Sequence, residues 1–507
     1  MDRSKELKMG AVIAYFTIAV NILSGLLYTP WIIEQIGDSD YGLYTLANSL
    51  INLFLFDFGL SAATSRFVSK YLAEGRQDKV DRILGTIYKL YFAIDAVIVV
   101  ILAVIFFFLS DIYTKLTPVE IQRFKVVFVI SAAFAVVNFP CVTFTGILNS
   151  YEKFISLKIA DALYRVFTVA ITVLALLWGG GLYALICVHV AVGLMTLLYK
   201  LSVIRRKTPV KVDFSHNEKG IYRELFGFSV WVTVSTLAQR FMISFTPSIL
   251  GVVSSSIVIA IFGIIAVVEN YIHIFTTALN GMFMPRISRI LTQDDHEEKL
   301  NDLIVKVGRF QFALNGLIVA GFLLVGRDFI LLWLGESYLD AYAGILLIAI
   351  PELFYNSLQI ANTAMVIKNH VKIQAITNIV ASIINIGLSF ILSWHYGVLG
   401  ACLAIFAAYS IRNIGYFIAY YKLLHLNIKK ICVECYLSLG IPMCMTIGLG
   451  LLLKGLLPEL NWVSFAVKVC LITVLYLSLT LFLGTKRAER RQMWEAARNK
   501  LFHDRQP

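Results

Sequence analysis

Residues 84–109 read LGTIYKLYFAIDAVIVVILAVIFFFL. From Ala96 to Leu109 the run contains no polar side chain, and a continuously apolar segment of roughly twenty residues is long enough to cross a bilayer as a helix. It is one of about fourteen such segments in the chain. The first six lie near Gly10 to Ile33, Gly42 to Thr64, Leu84 to Leu109, Phe124 to Leu148, Ile155 to Trp178 and Leu182 to Ile204. A second six lie near Leu225 to Leu250, Ser256 to Met284, Val307 to Val325, Tyr342 to Ile367, Gln374 to Trp394 and Val398 to Leu423, and a last pair near Leu437 to Leu453 and Trp462 to Leu483. The composition agrees: 59% of residues are hydrophobic and 15% charged, whereas roughly a quarter of a soluble domain is charged. The expected fold is an all-α polytopic membrane protein of about 14 transmembrane helices. It divides into an N-lobe over 1–212, a C-lobe over 213–428, two additional helices over 429–485 and a basic tail over 486–507.

Orientation follows from the connections. The N-terminus, the tail and alternate loops carry most of the 44 lysines and arginines, while the opposite loops hold only Lys115, Arg123, Lys125, Arg327 and Lys454. Cytoplasmic loops carry the basic excess, so both termini are expected in the cytoplasm. The net charge of +12 therefore belongs to a membrane surface and its anionic headgroups, and a nucleic-acid partner is not expected. The first span lacks a small-residue cleavage site and reads as a retained helix. The seven cysteines lie mostly in spans and act as small apolar residues. Cys432 and Cys435 form a C-x-x-C pair without a second pair, which reads as coincidence. No loop exceeds roughly twenty residues, which leaves no room for a separate soluble catalytic domain, and no G-x-x-x-x-G-K-[ST] phosphate loop occurs.

The two sets of six resemble each other at an offset of about 217 to 221 residues. Tyr28-Thr29-Pro30-Trp31-Ile32 ends the first span and Phe245-Thr246-Pro247-Ser248-Ile249 the seventh. The second span leaves through Ser65-Arg66 and the eighth through Pro285-Arg286. The fourth and tenth end in short hydrophilic elbows, Asn149 to Lys153 and Lys368 to Lys372, and the fifth and eleventh in Gly-containing turns at Gly179-Gly180-Gly181 and Gly397. An even number of spans per copy relates the copies by an axis along the membrane normal, with a central cleft able to open to either side in turn.

A charge at mid-bilayer costs about 3 to 10 kcal/mol or more and implies a partner, a wet cavity or a function. Ser229, Thr233, Thr236, Arg240 and Ser244 share one face of the seventh span, and Glu269, His273, Thr276 and Asn280 one face of the eighth. Thr17, Asn21, Ser24 and Tyr28 form a milder stripe in the first, and Asn48, Asn52, Gly59 and Arg66 share a face of the second. Such hydroxyls and amides also serve helix packing. Arg240 and Arg412 are deep, and Arg412 has no acid on its own helix. Arg165 follows Asp161 by one turn, a spacing that suits a structural ion pair as well as a ligand. The guanidinium fork suits bidentate capture of phosphate oxygens. Arg66 and Arg286 stand at the cytoplasmic mouth, where snorkelling to lipid phosphates is an equal reading. Asp57, Asp95, Glu269 and Glu352 serve either to couple transport to H+ or Na+ or to balance the arginines. Glu269 with His273 is the best proton-handling pair, against the plain alternative of a satisfied buried histidine.

With these features, Tyr41-Gly42-Leu43-Tyr44, Phe56-Asp57-Phe58-Gly59-Leu60, Ser65-Arg66, Tyr71-Leu72-Ala73-Glu74-Gly75 and Pro285-Arg286-Ile287-Ser288, the chain resembles the polysaccharide-transport flippases of the multidrug/oligosaccharidyl-lipid/polysaccharide (MOP) exporter superfamily, over its whole length. The resemblance implies two six-helix lobes, a cationic central cavity in the bacterial plasma membrane, and export of a polyprenyl-pyrophosphate-linked oligosaccharide to the outer leaflet. It assigns headgroup recognition to Arg240, Arg412 and Arg66. It also implies no enzymatic activity, no cofactor or metal, and a monomer whose partners are the lipid-linked glycan, membrane lipids and glycan-assembly enzymes. The last two spans fit a fourteen-span flippase better than a twelve-span drug exporter, and are candidates to line a groove for the lipid tail. The competing readings are a cation-coupled multidrug exporter of the same fold, which would want acids and aromatics in its cleft, and a membrane-embedded glycan polymerase or ligase, which usually needs a larger outer loop than Ser110 to Arg123 or Gly326 to Ala341.

Overall fold

A computed structural model describes residues 22, 24–54, 60–215, 221–277, 280–453 and 459–485. Among them there is no strand. After α1 (24–36) come α2 Asp38–Phe54, α3 Leu60–Ala73, α4 Gln77–Ile112, α5 Pro118–Cys141, α6 Thr143–Ser150, α7 Phe154–Leu177, α8 Gly181–Lys207, α9 Ile221–Ser244 and α10 Thr246–Val253. Then follow α11 Ser256–Thr277, α12 Asn280–Ile290, α13 His296–Trp333, α14 Asp340–Ser357, α15 Gln359–Ile367, α16 Val371–Leu424, α17 Ile428–Ile431, α18 Ser438–Leu453 and α19 Trp462–Leu479. Ten helices among the described residues are long and apolar enough to cross a membrane, and the chain is a multi-pass membrane protein. Most of the first expected span, Asn21, Asp57 and the tail from 486 lie outside the described residues.

The longest of the ten joins two expected spans. α16 is broken at Gly397, whose φ of 55° and ψ of −129° leave the helical region. Three residues on, the backbone folds back so closely that a Cβ at Gly400 would sit 2.1 Å from the Leu392 carbonyl oxygen. Glycine enters this positive-φ region freely whereas a side chain is strained there by about 1–3 kcal/mol, so the chain can turn at Gly397.

The two hydrophilic elbows have one geometry. Glu152 and Asn369 are left-handed, with φ of 54° and 60°. In the first elbow Lys153 N donates to Leu148 O and Glu152 N to Asn149 O; in the second His370 N donates to Met365 O and Asn369 N to Val366 O. Both are helix stops of the kind in which a left-handed residue satisfies the last carbonyls, and they recur at the offset that the sequence repeat gives.

The described residues group into two compact units. One comprises Trp31–Gly263 and Val371–Ala404. One of its apolar clusters joins Val68, Val80, Leu84, Phe144, Ile147, Leu148, Leu157, Val203 and Ile204. On α4, Ile98, Leu102 and Leu109 are buried whereas Val97, Val100 and Phe107 are exposed, so the helix is apolar on all sides, as a lipid-facing helix must be. The other unit comprises Met1–Pro30, Ile264–His370 and Ile405–Pro507. Here the last helices are fastened to α13 at both ends. At one end Arg309 donates to the carbonyls of Glu434 (2.9 Å) and Gly484 (2.6 Å), which lie in two wide π-helical turns, Cys432–Leu437 and Thr480–Gly484. At the other Lys468 Nζ lies 2.8 Å from Asp328 Oδ2. Between these anchors α13 and α19 part around an apolar pocket of about 310 Å³ lined by residues including Leu317, Phe322, Phe329, Phe465 and Ile472.

Replacing Gly397 by Ala should lower the stability of the detergent-purified chain by about 1–3 kcal/mol. Ala at Gly387, where nothing lies within 4 Å of an added Cβ, should cost little. Unfolding midpoints of the two variants against the parent check this.

Candidate functional site

Arg412 lies on the second half of α16 and is 3% exposed. Its Nη2 donates to Glu352 Oε1 of α14 at 2.6 Å. Its faces are closed by two rings, with the guanidinium carbon 4.0 Å from the Tyr355 centroid and 4.1 Å from that of Tyr409. The sequence spacing explains the arrangement: Glu352 and Tyr355 are three residues apart on one helix, Tyr409 and Arg412 three apart on the other, so each helix presents one charge and one ring on the same face. The next residue, Asn413, donates from Nδ2 to the Pro351 carbonyl at 2.7 Å. Each element has a known worth. A desolvated cation–π contact contributes about 2 kcal/mol, and removing one partner of a buried ion pair costs about 3–5 kcal/mol because the other charge is left bare.

The pair is not saturated. Glu352 Oε2, Arg412 Nε, Asn356 Nδ2 and Asn413 Oδ1 are buried without a protein partner. Glu352 and Asn356 line a cavity of about 10 Å³ together with Glu269, His273, Ile272, Ile345 and Ala349, room for about one water molecule. Four of the residues singled out in the sequence, Arg412, Glu352, Glu269 and His273, therefore belong to one cluster. It contains two carboxylates and one guanidinium.

The remaining candidates stand elsewhere. Arg240 on α9 is exposed, not buried, and its Nη1 donates to the Asn52 carbonyl of α2 at 3.4 Å. Asn48, one turn before Asn52, is half-buried. Arg66 on α3, Arg165 on α7 and Arg286 on α12 are all exposed.

The sequence reading missed a longer polar face. Gln374, Asn378, Ser382, Asn385, Ser389 and Ser393 recur at helical spacing along the first half of α16 and are all buried. Asn378 donates to Ser235 Oγ at 2.8 Å, Ser382 to the Ala238 carbonyl at 3.1 Å and Asn385 to the Met242 carbonyl at 3.0 Å. A face of amides and hydroxyls that bonds a neighbouring helix in this way serves packing. It ties α9, the helix of Arg240, to α16. Its period of three and four residues was the available signal.

The comparisons with known proteins agree with this architecture. The model of a family described as "Polysaccharide biosynthesis protein" matches residues 7–291. A Shigella flexneri protein named "Putative O-antigen transporter" is 22% identical over 404 residues, covering 79% of this chain and 93% of that protein. Among solved structures, the lipid II flippase MurJ in an inward closed conformation is similar at a TM-score of 0.66 with 15% identity, covering 93% of this chain and 97% of that one. An inward-facing multidrug resistance MATE family transporter of the MOP superfamily follows at 0.64 with 13% identity, covering 78% and 93%. The chain belongs to the polysaccharide biosynthesis protein family and has the fold of the MOP-superfamily exporters.

Proposed function

We propose that this chain is a flippase that carries a polyprenyl-pyrophosphate-linked oligosaccharide from the cytoplasmic to the outer leaflet by alternating access. The observation that carries the reading is Arg240: an exposed guanidinium on a hydroxyl-bearing helix face, beside Asn52, is a cation within reach of an anionic headgroup. A pyrophosphate accepts a bidentate pair from such a fork, and charge-assisted bonds of this kind are roughly twice as strong as neutral ones. Arg412 is already paired with Glu352, and its role is internal. The family membership and the near full-length likeness to a protein named as an O-antigen transporter support a glycan-bearing substrate. The apolar pocket between α13 and α19 offers the polyprenyl chain a bed along the protein.

The Arg412 cluster supplies coupling. Two carboxylates, one guanidinium and the His273 imidazole surround a space the size of a water molecule, and in a poor dielectric any charge they leave unbalanced is costly. A proton or a sodium ion restores neutrality. Its arrival or loss alters how tightly Glu352 holds Arg412, and so how α14 and α16 pack.

The multidrug exporter remains the second reading because the same fold includes a MATE transporter and because the cluster contains carboxylates and tyrosine rings. One assay separates the two. The purified chain in liposomes should expose an inner-leaflet polyprenyl-pyrophosphate oligosaccharide to an external lectin, and should leave a fluorescent organic cation where it is. Movement of the dye alone overturns the flippase reading.

Within that assay, Arg240→Ala should slow glycolipid movement about tenfold or more, the loss of roughly 1.5–3 kcal/mol expected for a hydrogen bond to a charged group. Arg240→Lys should recover part of the rate. Glu269→Gln should move glycolipid at a rate that no longer responds to an imposed pH or sodium gradient; an unchanged response would remove the cluster from coupling.

A further inference from the structure

Ser39 in the first turn of α2 and Ser256 at the start of α11 are 217 residues apart, the offset that also separates the two elbows. They are equivalent positions in the two copies of the repeat. Their hydroxyl oxygens lie 3.2 Å apart, and both donate to one atom, Glu120 Oε1, at 2.6 Å from Ser39 and 2.5 Å from Ser256. These are the short distances of hydroxyls bonded to an ionised carboxylate. The other oxygen, Oε2, accepts from Thr117 N at 2.8 Å and Thr117 Oγ1 at 2.9 Å. Together with the bond from Glu120 N to Thr117 Oγ1 this forms the capping box that starts α5.

The carboxylate is held unequally. To the first copy it is bound through the capping box and Ser39, and the same two helices are joined again by Arg123 and Asp40 at 2.9 Å. To the second copy its link is Ser256. Around that link α2 and α11 are in direct contact: a Cβ on Gly42 would lie 2.0 Å from the Ser256 carbonyl oxygen, and one on Gly263 would lie 2.7 Å from Thr45 Oγ1. Glu120 lies in the connection and first turn that face away from the Lys- and Arg-rich side of the chain, which the charge rule places outside.

We propose that Glu120 is the latch of the outer gate, a positioning residue that holds the equivalent first turns of the two copies together while the cleft is open inward and releases Ser256 when it opens outward. The proposal rests on the alternating-access reading above. It does not depend on what is carried.

A Ser39→Cys/Ser256→Cys chain with a protease site inserted beside Ser215 tests it. In membranes, oxidant should join the two cysteines, so that the fragments stay linked after cleavage. The oxidised chain should lose transport to background, and reductant should restore it. Failure to cross-link, or transport undiminished in the cross-linked chain, overturns the latch. A second arm needs no substrate. Thr45→Cys should react several-fold faster with a membrane-impermeant maleimide added outside when Glu120 is changed to Ala, and Glu120→Asp should recover part of the protection. Gly42→Ala, which leaves the carboxylate in place, should raise the labelling as well. Labelling that ignores all three changes overturns the latch. If the glycolipid does not move even in the unsubstituted chain while labelling responds as described, the substrate reading fails and the latch stands.

Discussion

In a bilayer nothing outside the chain bonds a polar group at depth, so each such group needs a partner within the protein. That constraint shapes this molecule more than apolar burial does, because lipid is as apolar as the helix faces and drives no association between them. The contacts that define its helices' neighbours are accordingly polar: Arg412 with Glu352, Lys468 with Asp328, Arg309 with two carbonyls, and the amide and hydroxyl face of α16 against α9. Each ties helices that are distant in sequence, and each would be expensive to leave half-made.

The Arg412 cluster is such a packing device, and it is not saturated. The two rings fix the plane of the guanidinium, Glu352 takes one of its edges, and the Nε and the second carboxylate oxygen remain unsatisfied in the protein. A fully satisfied network would only rigidify. Here the spare capacity lies beside a small cavity and a second carboxylate, Glu269.

Much of this was legible in the sequence, and the limits were physical. Continuous apolar length announced the helices, because a span must be long whatever its neighbours are. The elbows were legible as breaks, and their common left-handed residues gave the repeat a structural counterpart. The cost of a deep charge singled out Arg412, Glu352 and Glu269, yet nothing local could pair Arg412 with Glu352, sixty residues away on another helix. Arg240 stands deep by its place along the helix, but helix position does not reveal whether a face is covered, and the structure shows that its side chain is exposed. The α16 face went unread because uncharged polar residues carry little weight singly, and only their shared burial gives the stripe its meaning. Glu120 stands beside a short connection, in the first turn of α5, where a carboxylate is ordinarily just solvated. Its importance comes from which helix ends meet there.

The double fastening of the last helices to α13 bears on how such a chain gains or loses them. Arg309 and Asp328 face α13's neighbours, not water, and their partners are the carbonyls of Glu434 and Gly484 and the ammonium of Lys468. A shortened chain would take from α13 both carbonyls that Arg309 bonds and the ammonium that Asp328 bonds. The pair is thus no detachable appendage: an ancestor that acquired it, or a descendant that sheds it, must change α13 in the same lineage, and positions 309 and 328 are where that history would be written.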